Sequence, residues 1–223
     1  SKAWIKAADV TVYAKWGTGS SVTLPTITKT GYECGWTTSS TGTSIEKSSG
    51  ASYTATANVT MYGVCKVCGY KISYNKNSSS ATGTMSDTNC TYDEDCTLTS
   101  NRYSLTNYTF NGWNTKSDGT GTSYAHKAKV KKLTSTCSGT ATIYVHWCRN
   151  CASVSNGSCS LDASTAGTCK YTTKCNTGYT ISNNGIYNPT CTPITYTIKY
   201  NGNSNDHGSM ADTSCTYGSN CKL

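Results

Sequence analysis

Apolar and polar residues alternate in short runs along this chain, and the runs recur. Val10-Thr11-Val12-Tyr13-Ala14-Lys15-Trp16, Val59-Thr60-Met61-Tyr62-Gly63-Val64-Cys65 and Ala141-Thr142-Ile143-Tyr144-Val145-His146-Trp147 are three versions of one segment. Each is β-branched with period two, which predicts a half-buried strand. Tyr70-Lys71-Ile72-Ser73-Tyr74-Asn75 returns as Tyr196-Thr197-Ile198-Lys199-Tyr200-Asn201, and Met85-Ser86-Asp87 returns as Met210-Ala211-Asp212. Cys90-Thr91-Tyr92 followed by Cys96 returns as Cys215-Thr216-Tyr217 followed by Cys221. A further motif occurs twice, as Gly31-Tyr32-Glu33-Cys34-Gly35-Trp36-Thr37-Thr38 and as Asn107-Tyr108-Thr109-Phe110-Asn111-Gly112-Trp113-Asn114-Thr115.

Self-similarity on this scale marks a repeat array. It divides the chain into segments. Residues 1–16 are expected to be the C-terminal part of a truncated repeat, 19–65 a short repeat unit and 69–147 a complete unit. Residues 148–194 form a six-cysteine module, and 195–223 the N-terminal part of a further repeat, so the chain is expected to stop inside a repeat. Ser1-Lys2-Ala3-Trp4 lacks the apolar core of a signal peptide, which is expected of an internal or processed segment.

Composition sharpens this. The 223 residues include 40 Thr and 30 Ser but only 25 Leu, Ile, Val and Phe, so a large aliphatic core is excluded. Seventeen Tyr, five Trp and 14 Cys take its place, which argues against disorder. Thr and Tyr favour strands, and the scarcity of Ala, Leu, Glu and Arg disfavours helix, so the fold is expected to be mainly β with little helix. No apolar run approaches the ~20 residues of a membrane span. The net charge of +8 is scattered except at Lys127, Lys129, Lys131 and Lys132, whose alternation predicts one face of a lysine-guarded strand. No stripe of Arg with clustered aromatics appears, so nucleic acid is not an expected partner.

The run from Tyr70 through Met85, Tyr92, Tyr108-Thr109-Phe110-Asn111-Gly112-Trp113, Gly121-Thr122-Ser123-Tyr124 and Ile143-Tyr144-Val145-His146-Trp147 resembles the internalin B-repeat, or Listeria–Bacteroides repeat, family. The resemblance implies tandem small β-grasp-like modules on a bacterial surface protein, and no active site. The cysteines depart from it, and so does the disulfide-rich, loop-rich module between the repeats.

An even fourteen cysteines points to an oxidising location, secreted or cell surface. Duplication of Cys90 with Cys96 and of Cys215 with Cys221 suggests that each pair clasps a turn. The short unit departs from the complete one twice toward Cys: Cys65 stands for Trp147, and Cys34 for Phe110 or, because that segment is one residue shorter, for Asn111. Exchange of two packing aromatics for two cysteines suggests a Cys34–Cys65 bridge. In the β-grasp arrangement that the resemblance implies, Cys68 and Cys137 precede neighbouring parallel strands and can also pair. Cys148, Cys151, Cys159, Cys169, Cys175 and Cys191 then remain, with 15 connectivities open.

Two Cys-x2-Cys pairs, Cys65/Cys68 and Cys148/Cys151, have zinc-ligand spacing. Each sits at a module boundary, so no metal or other cofactor is expected. No catalytic group is expected either. His146 alternates with Val145 and Trp147 and should face solvent, and His126 and His207 lie in polar loops. Asp93-Glu94-Asp95 is a turn cluster that the second repeat replaces with Gly218-Ser219-Asn220.

The expected role is therefore structural and not enzymatic: a segment of a long, exported, disulfide-stapled repeat protein forming a surface stalk, fibre or filament. Its partners would be neighbouring repeats or further copies of itself. The other reading is an adhesin-type module recognising a glycan or protein on a host or neighbouring cell, with Tyr171, Tyr179 and Tyr187 as the candidate surface.

Overall fold

The computed structural model describes residues 21–203 and 208–222. The expected strand at Val10–Trp16, with the truncated repeat that contains it, lies outside them, as do His207 and Leu223. Among the described residues every regular element is a strand, and no helix is long and apolar enough to cross a membrane.

The short segment holds β1 (Ser21–Thr23), β2 (Tyr32–Thr37), β3 (Lys47–Ser48), β4 (Ser52–Thr54) and β5 (Tyr62–Val67). The next holds β6 (Gly69–Asn75), β7 (Thr88–Thr91), β8 (Cys96–Thr97), β9 (Tyr108–Asn114), β10 (Ser123–Tyr124), β11 (Lys129–Val130) and β12 (Thr140–Arg149). The six-cysteine segment holds β13 (Gly157–Asp162), β14 (Lys170–Cys175), β15 (Tyr179–Ser182) and β16 (Thr190–Pro193), and the last holds β17 (Thr195–Ile198) and β18 (Thr213–Thr216). The chain divides into two compact units. The first runs to Asn75 and adds Thr84–Asn101 and His126–Ile143; the second is Lys76–Gly83, Arg102–Ala125 and the chain from Tyr144 onward. The residues expected to form one complete module at 69–147 are thus shared between the two.

In the first unit β2 is the centre of a three-stranded sheet, β3-β2-β5. Its antiparallel register with β5 sets Cys34 opposite Cys65 and Trp36 opposite Gly63. Trp36 is buried and donates its indole N–H to Pro25 O at 2.9 Å. β1 and β4 form a separate ribbon with Val22 opposite Tyr53. β6 pairs antiparallel with β7, while its other side takes the chain entering β12 in parallel: Ser138 N–H donates to Gly69 O at 2.8 Å and Lys71 N–H to Gly139 O at 2.9 Å. The period-two pattern sends Tyr70, Ile72 and Tyr74 inward, where Leu98, Val130 and Ile143 are also buried.

The lysine run differs from expectation. β11 covers only Lys129–Val130, and Lys127 and Lys132 break it in left-handed conformation at φ 57° and 60°. Lys132 instead pairs with Asp93 at 2.9 Å, and Lys131 approaches Asp95 at 3.8 Å. The acidic turn and the basic run are one matched set of charges.

In the second unit β9 lies between β10 and β12. Val145 faces Trp113, and Trp147 faces Phe110, so β9 carries one extra residue between these pairs. This β-bulge has Gly112 at φ 93°. A Cβ at Gly112 would lie 2.6 Å from Tyr124 O, so the bulge requires glycine. Phe110, Trp113 and Trp147 meet edge to face, with Phe110 centroids 5.2 and 6.4 Å from those of the two tryptophans. β13–β14, β15–β16 and β17–β18 are separate two-stranded ribbons. Such ribbons bury little alone, and the first two are stapled.

Candidate functional site

All fourteen cysteines are bridged, with none free. The pairs are Cys34–Cys65, Cys68–Cys137, Cys90–Cys96 and Cys215–Cys221, and in the six-cysteine segment Cys148–Cys169, Cys151–Cys159 and Cys175–Cys191. His146, Cys148 and Cys169 come together closely enough to suggest metal ligands. Because both sulfurs are tied in one bridge, no thiolate is there to bind.

The second unit contains a cleft of 360 Å³. The Lys116–Gly121 loop forms one rim and is clamped by two asparagines. Asn77, left-handed at φ 53°, donates to Ser117 O at 2.8 Å and Val145 O at 3.1 Å. Asn114, almost wholly buried, donates to Gly119 O, Gly121 O and Ser123 Oγ, and accepts from the amides of Lys116 and Gly121. Asp118 accepts the Thr120 amide at 2.9 Å and its hydroxyl at 2.8 Å, and these bonds hold its carboxyl below the usual range. The lining also includes Tyr108, Trp147 and Leu105. The Trp147 indole N–H donates to Lys76 O at 2.8 Å, which fixes the ring.

His146 also lines the cleft. It is half-buried, not solvent-facing as its place in the alternation suggests, because the Lys116–Gly119 turn lies against it; a Cβ at Gly119 would sit 3.6 Å from its ring. Burial depresses its pKa, which disfavours the charged ring. The cleft thus offers a carboxylate, an ammonium, an imidazole and two aromatic rings. That set suits hydrogen bonding and stacking on a polar ligand.

Sequence reasoning named none of these lining residues as a site. The signal that could have found them is Asn77, which recurs as Asn203, also left-handed at φ 47°.

The three candidate tyrosines are all half-buried. Tyr171 donates to Arg149 O at 2.8 Å, and the Arg149 guanidinium donates to Tyr187 Oη at 3.1 Å while lying 4.2 Å from that ring's centroid. Desolvation raises the Tyr171 pKa, opposed in part by Arg149. Tyr179 stands apart, edge to face with Tyr217 at 5.6 Å. Two of the three are therefore gathered around Arg149, at the end of β12, and the third belongs to a different contact.

The family model of the Listeria-Bacteroides repeat domain matches residues 70–142. Nothing matches the chain among curated proteins or among solved structures.

Proposed function

Proceeding from a chain whose residues 70–142 are a Listeria–Bacteroides repeat, we propose that it is a structural segment of a long, exported repeat protein, a bacterial surface stalk, fibre or filament built of β-grasp-like modules. The supporting observation is the bridging of all fourteen cysteines with no bridge joining one segment to another: six bridges lie inside a segment, and Cys68, just before Gly69, pairs with Cys137 of the segment it leads into. A reducing cytosol would not keep seven such bridges. Segments this small bury little apolar surface, so each needs its own staple, worth about 2–4 kcal/mol. The chain works by holding its shape, without catalysis, and its partners are neighbouring repeats or further copies. Mild protease treatment of intact cells tests this: the segment should be released or clipped while cytosolic markers persist. Survival of the segment until lysis would contradict it.

The 360 Å³ cleft favours a second reading, adhesion to a glycan. Tyr108 and Trp147 would stack on sugar rings while Asp118 and Lys116 take hydroxyls. A glycan array on the wild-type chain and on Trp147→Ala tests it; specific binding lost in the variant supports adhesion, and no binding at all supports a passive shaft.

A further inference from the structure

Two junctions between consecutive segments are built alike. At the first, Gly31 sits in left-handed conformation at φ 76° and Tyr32 follows it. Cys68 N–H donates to Gly31 O at 2.9 Å, and Tyr92 N–H donates to Cys68 O at 3.0 Å. The Tyr92 ring covers Gly31 so closely that a Cβ there would lie inside it. At the second, Gly178 has φ 87° and Tyr179 follows. Ile194 N–H donates to Gly178 O at 2.9 Å, and Tyr217 N–H donates to Ile194 O at 2.9 Å. The Tyr217 ring covers Gly178 in the same way. The first junction lies wholly within the first compact unit and the second wholly within the second.

The match is notable because the modules contributing Gly31 and Gly178 are unrelated, one a short repeat and the other the six-cysteine segment. What they share is the tripeptide Thr-Gly-Tyr, at Thr30–Tyr32 and at Thr177–Tyr179. What sits on them is the same element each time, the Cys-Thr-Tyr turn closed by Cys90–Cys96 or Cys215–Cys221. We infer that Thr-Gly-Tyr is a socket and the stapled Cys-Thr-Tyr turn its plug, so that any module presenting the socket receives the head of a repeat. The inference rests on the reading of the chain as a modular array and adds how consecutive modules engage.

A third turn shows the selectivity. Asn107, at φ 64° and followed by Tyr108, accepts the Asn150 amide at 2.8 Å, as Gly31 and Gly178 accept theirs. Asn carries a Cβ where the other two turns have bare backbone, so a ring seated as Tyr92 and Tyr217 are would collide with it. The segment that follows the unit containing Asn107 is the six-cysteine module, which has no Cys-Thr-Tyr turn to plug in. Gly therefore admits a repeat head, and Asn marks a place where something else follows.

The experiment compares amide hydrogen exchange in the full chain carrying Gly178→Ala, Gly185→Ala or Tyr217→Ala. Gly185 lies in the same segment at φ 82° with nothing within 4 Å of a Cβ, so Gly185→Ala reports left-handed strain alone. The expected result is about tenfold faster exchange at the Ile194 amide in Gly178→Ala and in Tyr217→Ala, and less than about twofold change in Gly185→Ala. In a Tyr217→Ala background, Gly178→Ala should add nothing beyond the Gly185→Ala change. Equal effects of the two glycine substitutions, or unchanged Ile194 exchange in Tyr217→Ala, would overturn the inference. Neither outcome would bear on whether the chain is exported, which protease treatment of cells reads independently.

Discussion

Cys34 stands directly opposite Cys65 across β2 and β5, with Cα atoms 4.1 Å apart. Phe110 and Trp147 stand opposite each other in the same way across β9 and β12. One cross-strand position is thus filled by an aromatic pair in one repeat and by a bridge in the other. Cross-strand pairs are the stabilising unit of a sheet, and a small unit with fewer aromatics gains more from the covalent pair. Replacing both Cys34 and Cys65 with Ser should cost about 4 kcal/mol, the chain entropy released by opening that loop. Denaturant unfolding followed at the β2–β5 amides checks this, and a loss below about 1 kcal/mol would contradict it.

The bulge in β9 explains why the two motifs differ by one residue. In β2 the register is continuous from Tyr32 to Thr37. In β9 the additional residue, Asn111, is buried and reaches out of the repeat: its side chain donates to Thr168 O at 2.5 Å, and its carbonyl accepts the Gly167 amide at 2.9 Å. The insertion is what docks the six-cysteine segment beside Cys148–Cys169. Asn111→Ala should destabilise that segment by about 1–3 kcal/mol, since it leaves Thr168 O without its donor. Thermal unfolding should show this loss with β2–β5 unaffected.

Asn114 and Thr37 occupy equivalent positions after Trp113 and Trp36, and both organise the loop that follows. Asn114 does so directly, with five hydrogen bonds to residues 116–123, beside the one that Asn77 gives Ser117 O. Asn114→Ala should therefore loosen the cleft rim and lower stability by about 3 kcal/mol, read as accelerated exchange at the Lys116 and Gly121 amides.

Thr37 relies on a partner, Glu46, whose carboxylate accepts the Thr37 hydroxyl at 2.8 Å, the Thr38 hydroxyl at 2.9 Å and the Thr38 amide at 3.0 Å. The Thr37 bond is the largest cause of a lowered Glu46 pKa, and the Thr38 bonds add to it. A group whose folded pKa is depressed stabilises fully above its ordinary value, and the effect is lost as pH falls through the depressed one. Acidification below the ordinary glutamate range should accordingly free the loop between Thr38 and Glu46. Glu46→Gln should remove that pH dependence, as monitored by the Thr38 amide shift.

Much of this architecture is legible in the sequence because repeats report on each other. The exchange of Phe110 and Trp147 for Cys34 and Cys65 points to a bridge, and the duplicated Cys90/Cys96 spacing points to two more. Inside residues 148–194 no second copy exists to compare, and none of its three bridges joins partners within a hairpin: Cys175 of β14 reaches Cys191 of β16, while Cys148–Cys169 and Cys151–Cys159 tie strands to loops, contacts that no local pattern announces. Alternation misled at two places for one reason. His146 and Lys127–Lys132 follow a strand-like pattern, but neighbouring loops decide their surroundings: the Lys116–Gly119 turn covers the first, and the Asp93–Asp95 turn draws the second out of line. The cleft was hidden because its residues come from three separate stretches of chain.

The measurement that bears most directly on a disulfide-stapled, exported array is the intact mass of the protein taken from its own cells into a thiol-alkylating reagent. With seven bridges and no free cysteine, the native protein should take up no adduct, and after denaturation with reductant it should take up fourteen. Alkylation of several cysteines before any reductant is added would contradict the account, because thiols kept reduced in the cell belong to a different compartment and a different fold of these small segments.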